Sequence, residues 1–442
     1  MDEAIKIEDI DLIVKKLGTA RYESPLSHGA VSLGFDKELF VKKGDRIHYS
    51  TRVIEDGTPN QNKSFERAGP RSKIYFKPTT TRVAIVTCGG LCPGLNDVIR
   101  GIVMELYQWY GVEDIWGVRY GYSGLTPNPE HPMIKLDPDV VAEIHKKGGT
   151  ILGSSRGHPE MEDMIATLVN RGINILFCIG GDGTLRGASA IAEEIEKQKL
   201  DISIIGIPKT IDNDINFVYQ SFGFQTAVEV ASNVIDCAHV EAVGAKYGVG
   251  LVKLMGRDAG FISSYATRAS GNAHYCLIPE MDFKLEGKDN LYDNLRNRLI
   301  RKEHAVIVVA EGAGQHLIGD AGETDQSGNK KYNDIGRFIR FDMQEYFKKK
   351  WDMSLSIKYI SPSYVIRSVK ANSADSIFCA DLARFAADAG MAGKTDMMIG
   401  HWHGEFTNVP LNAVEGLKKR VRRESRLWLS VLAGTGQPPE WW

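Results

Sequence analysis

The chain has 442 residues, 43% of them apolar, with 54 Lys and Arg against 56 Asp and Glu and a formal net charge of −2. At about 150 residues per domain, that length suits two or three domains around sizeable cores. The charge balance leaves no global field to grip a nucleic-acid backbone or an acidic membrane, so any bound anion must be held by local groups. No apolar run approaches the roughly 18 residues of a membrane span, and the acidic start, Met1-Asp2-Glu3-Ala4, is unlike a signal peptide. A cytoplasmic protein is expected. Six cysteines are scattered at 88, 92, 178, 237, 276 and 379. Cys88, Cys178 and Cys276 fall in apolar runs where Cys acts as a small hydrophobe. Cys88 and Cys92 lack the second Cys/His pair of a zinc site, and the length argues against a disulfide framework.

Residues 1–80 are polar and rich in mixed charge, with turn signals at Asp56-Gly57 and Pro59. They read as an N-terminal arm whose short elements pack on the main body. From Thr81 the texture changes. Arg82–Cys88 is a β-branched run closed by Gly89-Gly90, a buried-strand signal. A helical pattern follows to Tyr110, with Val98, Ile102 and Leu106 on one stripe. Ile115–Val118 reads as a strand, Asp163–Arg171 as a helix ended by Gly172, and Ile173–Ile179 as a strand closed by Gly180-Gly181. A helix to about Lys197 precedes the strand Ile202–Ile207. A long helix from Thr226 to about His239 leads to strands at Val249–Met255, Tyr275–Ile278 and Ala305–Ala310, and Gly319–Asn333 reads as an exposed loop.

Strand, glycine turn, helix and strand in repetition predict βαβ units and a parallel sheet. The expected fold is α/β: two Rossmann-like lobes with mainly parallel sheets, helices on both faces, and the active site in the cleft. The expected domains are the arm (1–80), a first lobe (81–224, completed by about 367–420) and a second lobe (225–366, completed by about 421–442).

Ligands of open α/β sheets gather at the carboxyl ends of strands, and those ends carry glycine, acid or arginine here. Gly89-Gly90-Leu-Cys-Pro-Gly94 would let backbone N–H groups and a helix N-terminus approach a phosphate. It is not a P-loop, because the Gly-Lys-Ser/Thr end is missing. Gly180-Gly181-Asp182-Gly183-Thr184 places an acid able to hold Mg²⁺ beside backbone able to cradle phosphates. In Pro208-Lys209-Thr210-Ile211-Asp212-Asn213-Asp214, two carboxylates two apart on an extended chain would point the same way and raise one pKa, as a general base requires. Three arginines complete the set: Arg156 (in Gly-Ser-Ser-Arg-Gly157), Arg257 (in Met255-Gly256-Arg257) and Arg367 (in Tyr364-Val365-Ile366-Arg367). Phosphoryl transfer needs such cations around the moving group. His401-Trp402-His403 is read as structural, because residues two apart lie on opposite sides of a helix.

Taken in order, Gly89-Gly90, Gly-Ser-Ser-Arg156, Gly-Gly-Asp182-Gly-Thr, Thr210-Ile-Asp-Asn-Asp214, Met-Gly-Arg257 and Tyr-x-x-Arg367 closely resemble the phosphofructokinase family over roughly residues 82–400. The resemblance implies transfer of a phosphoryl group to the 1-hydroxyl of fructose 6-phosphate, a glycolytic step. Asp212 would then be the base, Asp182 the Mg²⁺-holding acid, and Asp214 a support for metal or water nearby. Arg156 would neutralise the phosphoryl group in flight. Gly89, Gly90, Gly157, Gly181, Gly183 and Thr184 would surround the donor phosphates. Thr210, Ile211, Met255, Gly256, Arg257 and Glu311 would meet the sugar phosphate, and Tyr364, Val365, Ile366 and Arg367 would hold its 6-phosphate. Lys358 matches a position that in bacterial members reaches in from a neighbouring subunit. The resemblance as a whole favours a homotetramer over a dimer. The family often takes allosteric ligands, for which no site is placed.

Donor choice turns on two residues. Glycine after the metal-holding aspartate is typical of ATP users in the family, and this chain has Gly183. Lysine before Thr-Ile-Asp-Asn-Asp is typical of pyrophosphate users, and this chain has Lys209. The mixture resembles the atypical, pyrophosphate-like lineage of plants and trypanosomatids that uses ATP. ATP is the expected donor, since a carboxylate at 183 would repel the nucleotide. Three alternatives stay open: a pyrophosphate-dependent enzyme, an NAD or lipid kinase sharing Gly-Gly-Asp-Gly-Thr, and a regulatory subunit that kept the fold without catalysis.

Overall fold

The computed structural model describes residues 10–27, 39–51, 63–287, 290–319 and 332–439. The turn signals at Asp56-Gly57 and Pro59, and most of the loop expected between Gly319 and Asn333, lie outside these residues. In chain order the principal strands are β1 (Arg46–His48), β2 (Ser64–Arg67), β3 (Arg82–Thr87), β4 (Asp114–Val118), β5 (Ile134–Leu136), β6 (Ile175–Gly180), β7 (Ser203–Pro208), β8 (Gly248–Leu254), β9 (Tyr275–Leu277), β10 (His304–Ala310), β11 (Ser356–Ile360), β12 (Met397–Trp402) and β13 (Glu405–Pro410). The α-helices of ten residues or more are α1 (Leu95–Met104), α2 (Met161–Asn170), α3 (Asp182–Lys197), α4 (Phe224–Val243), α5 (Phe261–Ser270), α6 (Leu291–Lys302), α7 (Ile335–Trp351), α8 (Ser373–Met391) and α9 (Arg426–Thr435).

The chain divides into two units: Met1–Thr210, Ile215–Gly223 and Val369–Leu417 form the first, and Ile211–Asp214, Phe224–Ser368 and Lys418–Trp442 the second. The first unit holds a nine-stranded sheet in the order β1-β2-β13-β12-β7-β6-β3-β4-β5. Its five middle strands, β12 to β4, run parallel, while β13, β2, β1 and β5 join antiparallel. Every residue of β6 and β7 is buried, as expected for strands covered on both faces. Their register pairs Pro208 with Gly180, and Thr87 pairs with Ile179. The glycine turns after β3 and β6 and the run after β7 therefore leave the sheet side by side.

The described part of residues 1–80 is woven into this unit. β2 extends the main sheet, Phe65 is fully buried, and Lys15–Lys16 pairs with Lys394–Thr395. The helical pattern expected to reach Tyr110 changes character: α1 stops at Met104, and Glu105–Tyr110 continues as a π-helix that ends at Gly111, φ 74°. Six-residue π segments of this kind are rare.

The second unit is built on a four-stranded, wholly parallel sheet, β9-β10-β8-β11. Its core joins Val249 and Leu251 of β8, Ile307 and Val309 of β10, and Leu295, Ile339 and Phe347 from the covering helices. All six cysteines are free, and only Cys237 is exposed. No helix among the described residues is long and apolar enough to cross a membrane.

Candidate active site

In the first unit, the sheet register collects one group of sequence motifs. Gly181 caps α3, so Asp182, Gly183 and Thr184 form its first turn, where backbone N–H groups have no intrahelical acceptor. The glycine at 180 is obligatory, because a Cβ there would lie 2.1 Å from Thr184 Oγ1. A Cβ on Gly183, by contrast, meets nothing within 4 Å. Tyr122 OH donates to the Thr184 carbonyl (2.8 Å) and fixes the turn from below. After β3, the Gly89 N–H donates to Ser155 O (3.0 Å) and Ser154 Oγ donates to Gly89 O (2.6 Å). These bonds tie the segment carrying Arg156 and Gly157 to the first glycine turn. Lys209 is buried; its backbone N–H donates to Gly180 O (2.9 Å) and its ammonium to Gly90 O. Thr210 O accepts from Ser221 Oγ (2.6 Å). The result is a backbone-rich, cation-bearing cradle with a partly exposed acid, Asp182, which lies 3.3 Å from Arg186 one turn on.

A separate group forms in the second unit. Asp212 is partly exposed as a residue, yet its Oδ1 is buried. Burial, reinforced by Asp214, Glu311 and Asp258 and opposed by Arg257, holds its carboxyl well above the ordinary range. Glu311 follows β10 and is also raised by burial, against the pull of Arg257, Lys253 and Arg367. The backbone brings these loops together: Glu311 N–H donates to Leu254 O (2.9 Å) and Gly312 N–H to Gly256 O (3.1 Å). Gly256 has φ +127°, where a Cβ would sit 2.7 Å from Ala259 O, so only glycine suits the turn. Arg257 lies 5.4 Å over the Tyr332 ring, whose OH donates to Asp258 Oδ1 (2.9 Å). Arg367 stacks 4.7 Å over the Tyr364 ring, and Tyr364 is 66% exposed.

Several expectations need correcting. Asp212 and Asp214 do not share an extended strand: Asn213 takes φ +54°, which turns the chain between them. Their coupling is electrostatic through proximity, not through strand alternation. Ile366 is fully buried and Ile211 nearly so, so both side chains serve the core and only their backbone is left to meet a ligand. His401 lies within a strand, not on a helix. Its ring packs on Phe378 and Phe406, while the His403 Nε2 approaches Tyr49 O (3.1 Å) beyond the strand end. Lys358 lies mid-strand in β11, paired with Gly250.

Sequence reasoning also missed residues that the fold brings to this group. Lys418 Nζ donates to Asp258 Oδ2. Lys419 donates twice, from its backbone N–H to Asp214 O (2.8 Å) and from Nζ to Asn213 Oδ1 (3.1 Å). Burial lowers the Lys419 ammonium to about 7 despite the Asp214 charge. The Lys418-Lys419-Arg420 run was visible but resembles any solvated basic patch. Asp258, directly after Arg257, was the better signal.

A family model described as phosphofructokinase matches residues 82–389. The chain belongs to the phosphofructokinase family. Among its phosphofructokinase relatives, the ATP-dependent 6-phosphofructokinase of Borreliella burgdorferi is 47% identical over 442 residues, covering 98% of each protein. ATP-dependent 6-phosphofructokinase 7 of Arabidopsis thaliana is 44% identical over 91% of this chain and 82% of its own. In fold, the chain is similar to the pyrophosphate-dependent phosphofructokinase of Marinobacter aquaeolei, with TM-score 0.64 and 20% identity over 79% of this chain and 88% of that one.

Proposed function

We infer that this protein is an ATP-dependent 6-phosphofructokinase, forming fructose 1,6-bisphosphate from fructose 6-phosphate in glycolysis. The observation that best supports the reading is the run Lys209–Asp214. It leaves β7 beside the glycine turn bearing Asp182 and continues without interruption to a carboxyl whose pKa is raised by burial. Curated relatives that match the chain over nearly its full length carry the same activity in their names.

In this reading the first unit is the nucleotide lobe. The α3 N-terminus and the Gly89-Gly90 turn receive the donor phosphates, and Lys209 and Arg156 offset charge that develops during transfer. The second unit is the sugar-phosphate lobe, with Met255, Gly256, Arg257 and Glu311 around the sugar and Tyr364 and Arg367 at its 6-phosphate. Asp212 takes the proton from the 1-hydroxyl. Burial raises its pKa, which makes the carboxylate a stronger base toward that proton. Asp214 sits one residue beyond the Asn213 turn and reinforces that shift. The residues fit Mg²⁺ in its usual mode. No group of three or more His, Cys, Asp or Glu among the described residues is arranged as a cage, and one accessible carboxylate plus substrate phosphates is the common Mg²⁺ arrangement. Asp182 would hold that ion, which draws charge from the donor phosphates when bound. A cytoplasmic homotetramer completes the reading, with Lys358 contributed to a neighbouring subunit's site.

Lys209 supports a second reading, in which pyrophosphate is the donor. Separate reactions of the purified chain with Mg²⁺, fructose 6-phosphate and either ATP or pyrophosphate distinguish them by fructose 1,6-bisphosphate formed. ATP turnover is expected. Turnover with pyrophosphate alone reverses the donor, and silence with both returns the regulatory-subunit reading.

A further inference from the structure

The second unit's last segment begins at Lys418, and within four residues it bonds to three separate loops. Lys418 Nζ donates to Asp258, the residue after Arg257. The Lys419 N–H and Nζ hold Asp214 O and Asn213 Oδ1 (2.8 and 3.1 Å), with Nζ 5.2 Å over the Phe261 ring. Val421 N–H donates to Glu280 Oε1 (2.8 Å), and the same carboxylate accepts from Gly260 N–H at the start of α5. Asn213 has φ +54°, a conformation that costs energy for a residue with a Cβ and needs local bonds to persist. Lys419 supplies one bond to Asn213's side chain and one to the next residue's carbonyl, bracketing that turn. Asp212 sits immediately before the turn, so the direction of its carboxylate depends on whether the turn holds.

We propose that Lys418–Val421 is a clasp that orients the catalytic Asp212, with Lys419 its positioning residue. Lys419 acts on Asp212 through its bonds to Asn213 and Asp214. Lys418 steadies Asp258, and with it the chain that carries Arg257. A base held loosely loses turnover more than substrate affinity, because a displacement of about 1 Å costs on the order of 10²-fold in rate.

The inference rests on the kinase reading, so the test compares full-length variants with the parent under saturating ATP and Mg²⁺. Lys419→Met is expected to lower kcat ~30-fold or more while changing the KM for fructose 6-phosphate less than ~3-fold. Lys419→Arg keeps a donor in reach of Asn213 and should recover kcat to within ~5-fold of the parent. Asn213→Gly tolerates the left-handed backbone but removes the side-chain acceptor, and it should reproduce the kcat loss without removing a charge. Thermal melts of all three identify any loss that is merely unfolding. A well-folded Lys419→Met enzyme with parental kcat overturns the clasp, as does Lys419→Arg failing alongside Lys419→Met while Asn213→Gly is unaffected. A parent inactive with either donor refutes the kinase reading itself, and the clasp with it.

Discussion

The ammonium of Lys209 donates to the carbonyl of Gly90, so the lysine that precedes Thr210 is anchored to the glycine turn after the first parallel strand. A side chain held this way presents its charge to whatever occupies the glycine turns, whether the donor is a nucleotide or pyrophosphate. Lys209→Met keeps most of the buried apolar stem, removes the cation and leaves Gly90 O without that donor. It is expected to lower kcat with ATP by ~10²-fold, the usual worth of a preorganised charge at such a site, without conferring pyrophosphate use. Parallel assays with both donors check this. A variant that gains pyrophosphate turnover would make Lys209 a specificity residue.

Gly183 is where donor choice should reside. The space around it is open, so Gly183→Asp adds a carboxylate without a clash. A second negative charge about 5 Å from a phosphate at an effective dielectric near 20 costs about 3 kcal/mol, or ~10²-fold in kcat/KM for ATP. Gly183→Ala is the control. It should keep ATP turnover within a few-fold and stabilise the helix slightly. Equal losses in both variants would point to backbone geometry in place of charge.

Asp212→Asn removes the proposed base and preserves size. Turnover is expected to fall by ~10²–10⁴-fold, with the KM for fructose 6-phosphate changed only modestly. Near-parental kcat in that variant would take Asp212 out of the proton transfer.

Stability should depend on pH through a buried pair away from the motifs. Asp388 is pushed up to about 7 by burial, although Tyr110 OH donates to its Oδ1 (2.6 Å). Glu105 is likewise raised to about 7 by burial, with Arg384 opposing. The folded state therefore keeps protons that the unfolded chain loses near pH 4. This contribution is full below about pH 4, declines as pH rises toward 7, and is gone above it. Asp388→Asn removes the ionisable group while leaving Tyr110 an acceptor. Relative to the parent it should be more stable at pH 8 than at pH 5, by on the order of 1–4 kcal/mol. Thermal melts at the two pH values measure the difference, and an identical gap at both would mean Asp388 ionises normally.

Much of this site was legible because its pieces are local. The β-branched apolar runs before Gly89, Gly180 and Lys209 read as buried strands, and the glycines at the ends of the first two marked where a sheet of this class binds ligands. Asp182, Asp212 and Arg257 stood out as charges abutting those runs. Asn213 shows where local reading failed. Strand alternation suggested a shared face for Asp212 and Asp214, but asparagine is among the few residues with a Cβ that enter the left-handed region readily, and it did so here. The helix assumed at His401-Trp402 fails for a related reason, since a short apolar run such as Met397–Trp402 does not by its pattern distinguish helix from strand.

By itself, then, the amino-acid order determined the class of fold, the strand–turn–helix units, and the chemistry available at each strand end, because these depend on residues within a few positions of one another. The tertiary structure decided what depends on partners far along the chain. It set the register that lines up Thr87, Gly180 and Pro208, and it drew residues 64–67 into the main sheet beside β13. It also brought Lys419 to Asn213, 206 residues away. Such contacts form only when loop closure is outweighed by burial elsewhere in the unit, and that balance is a property of the whole packed chain.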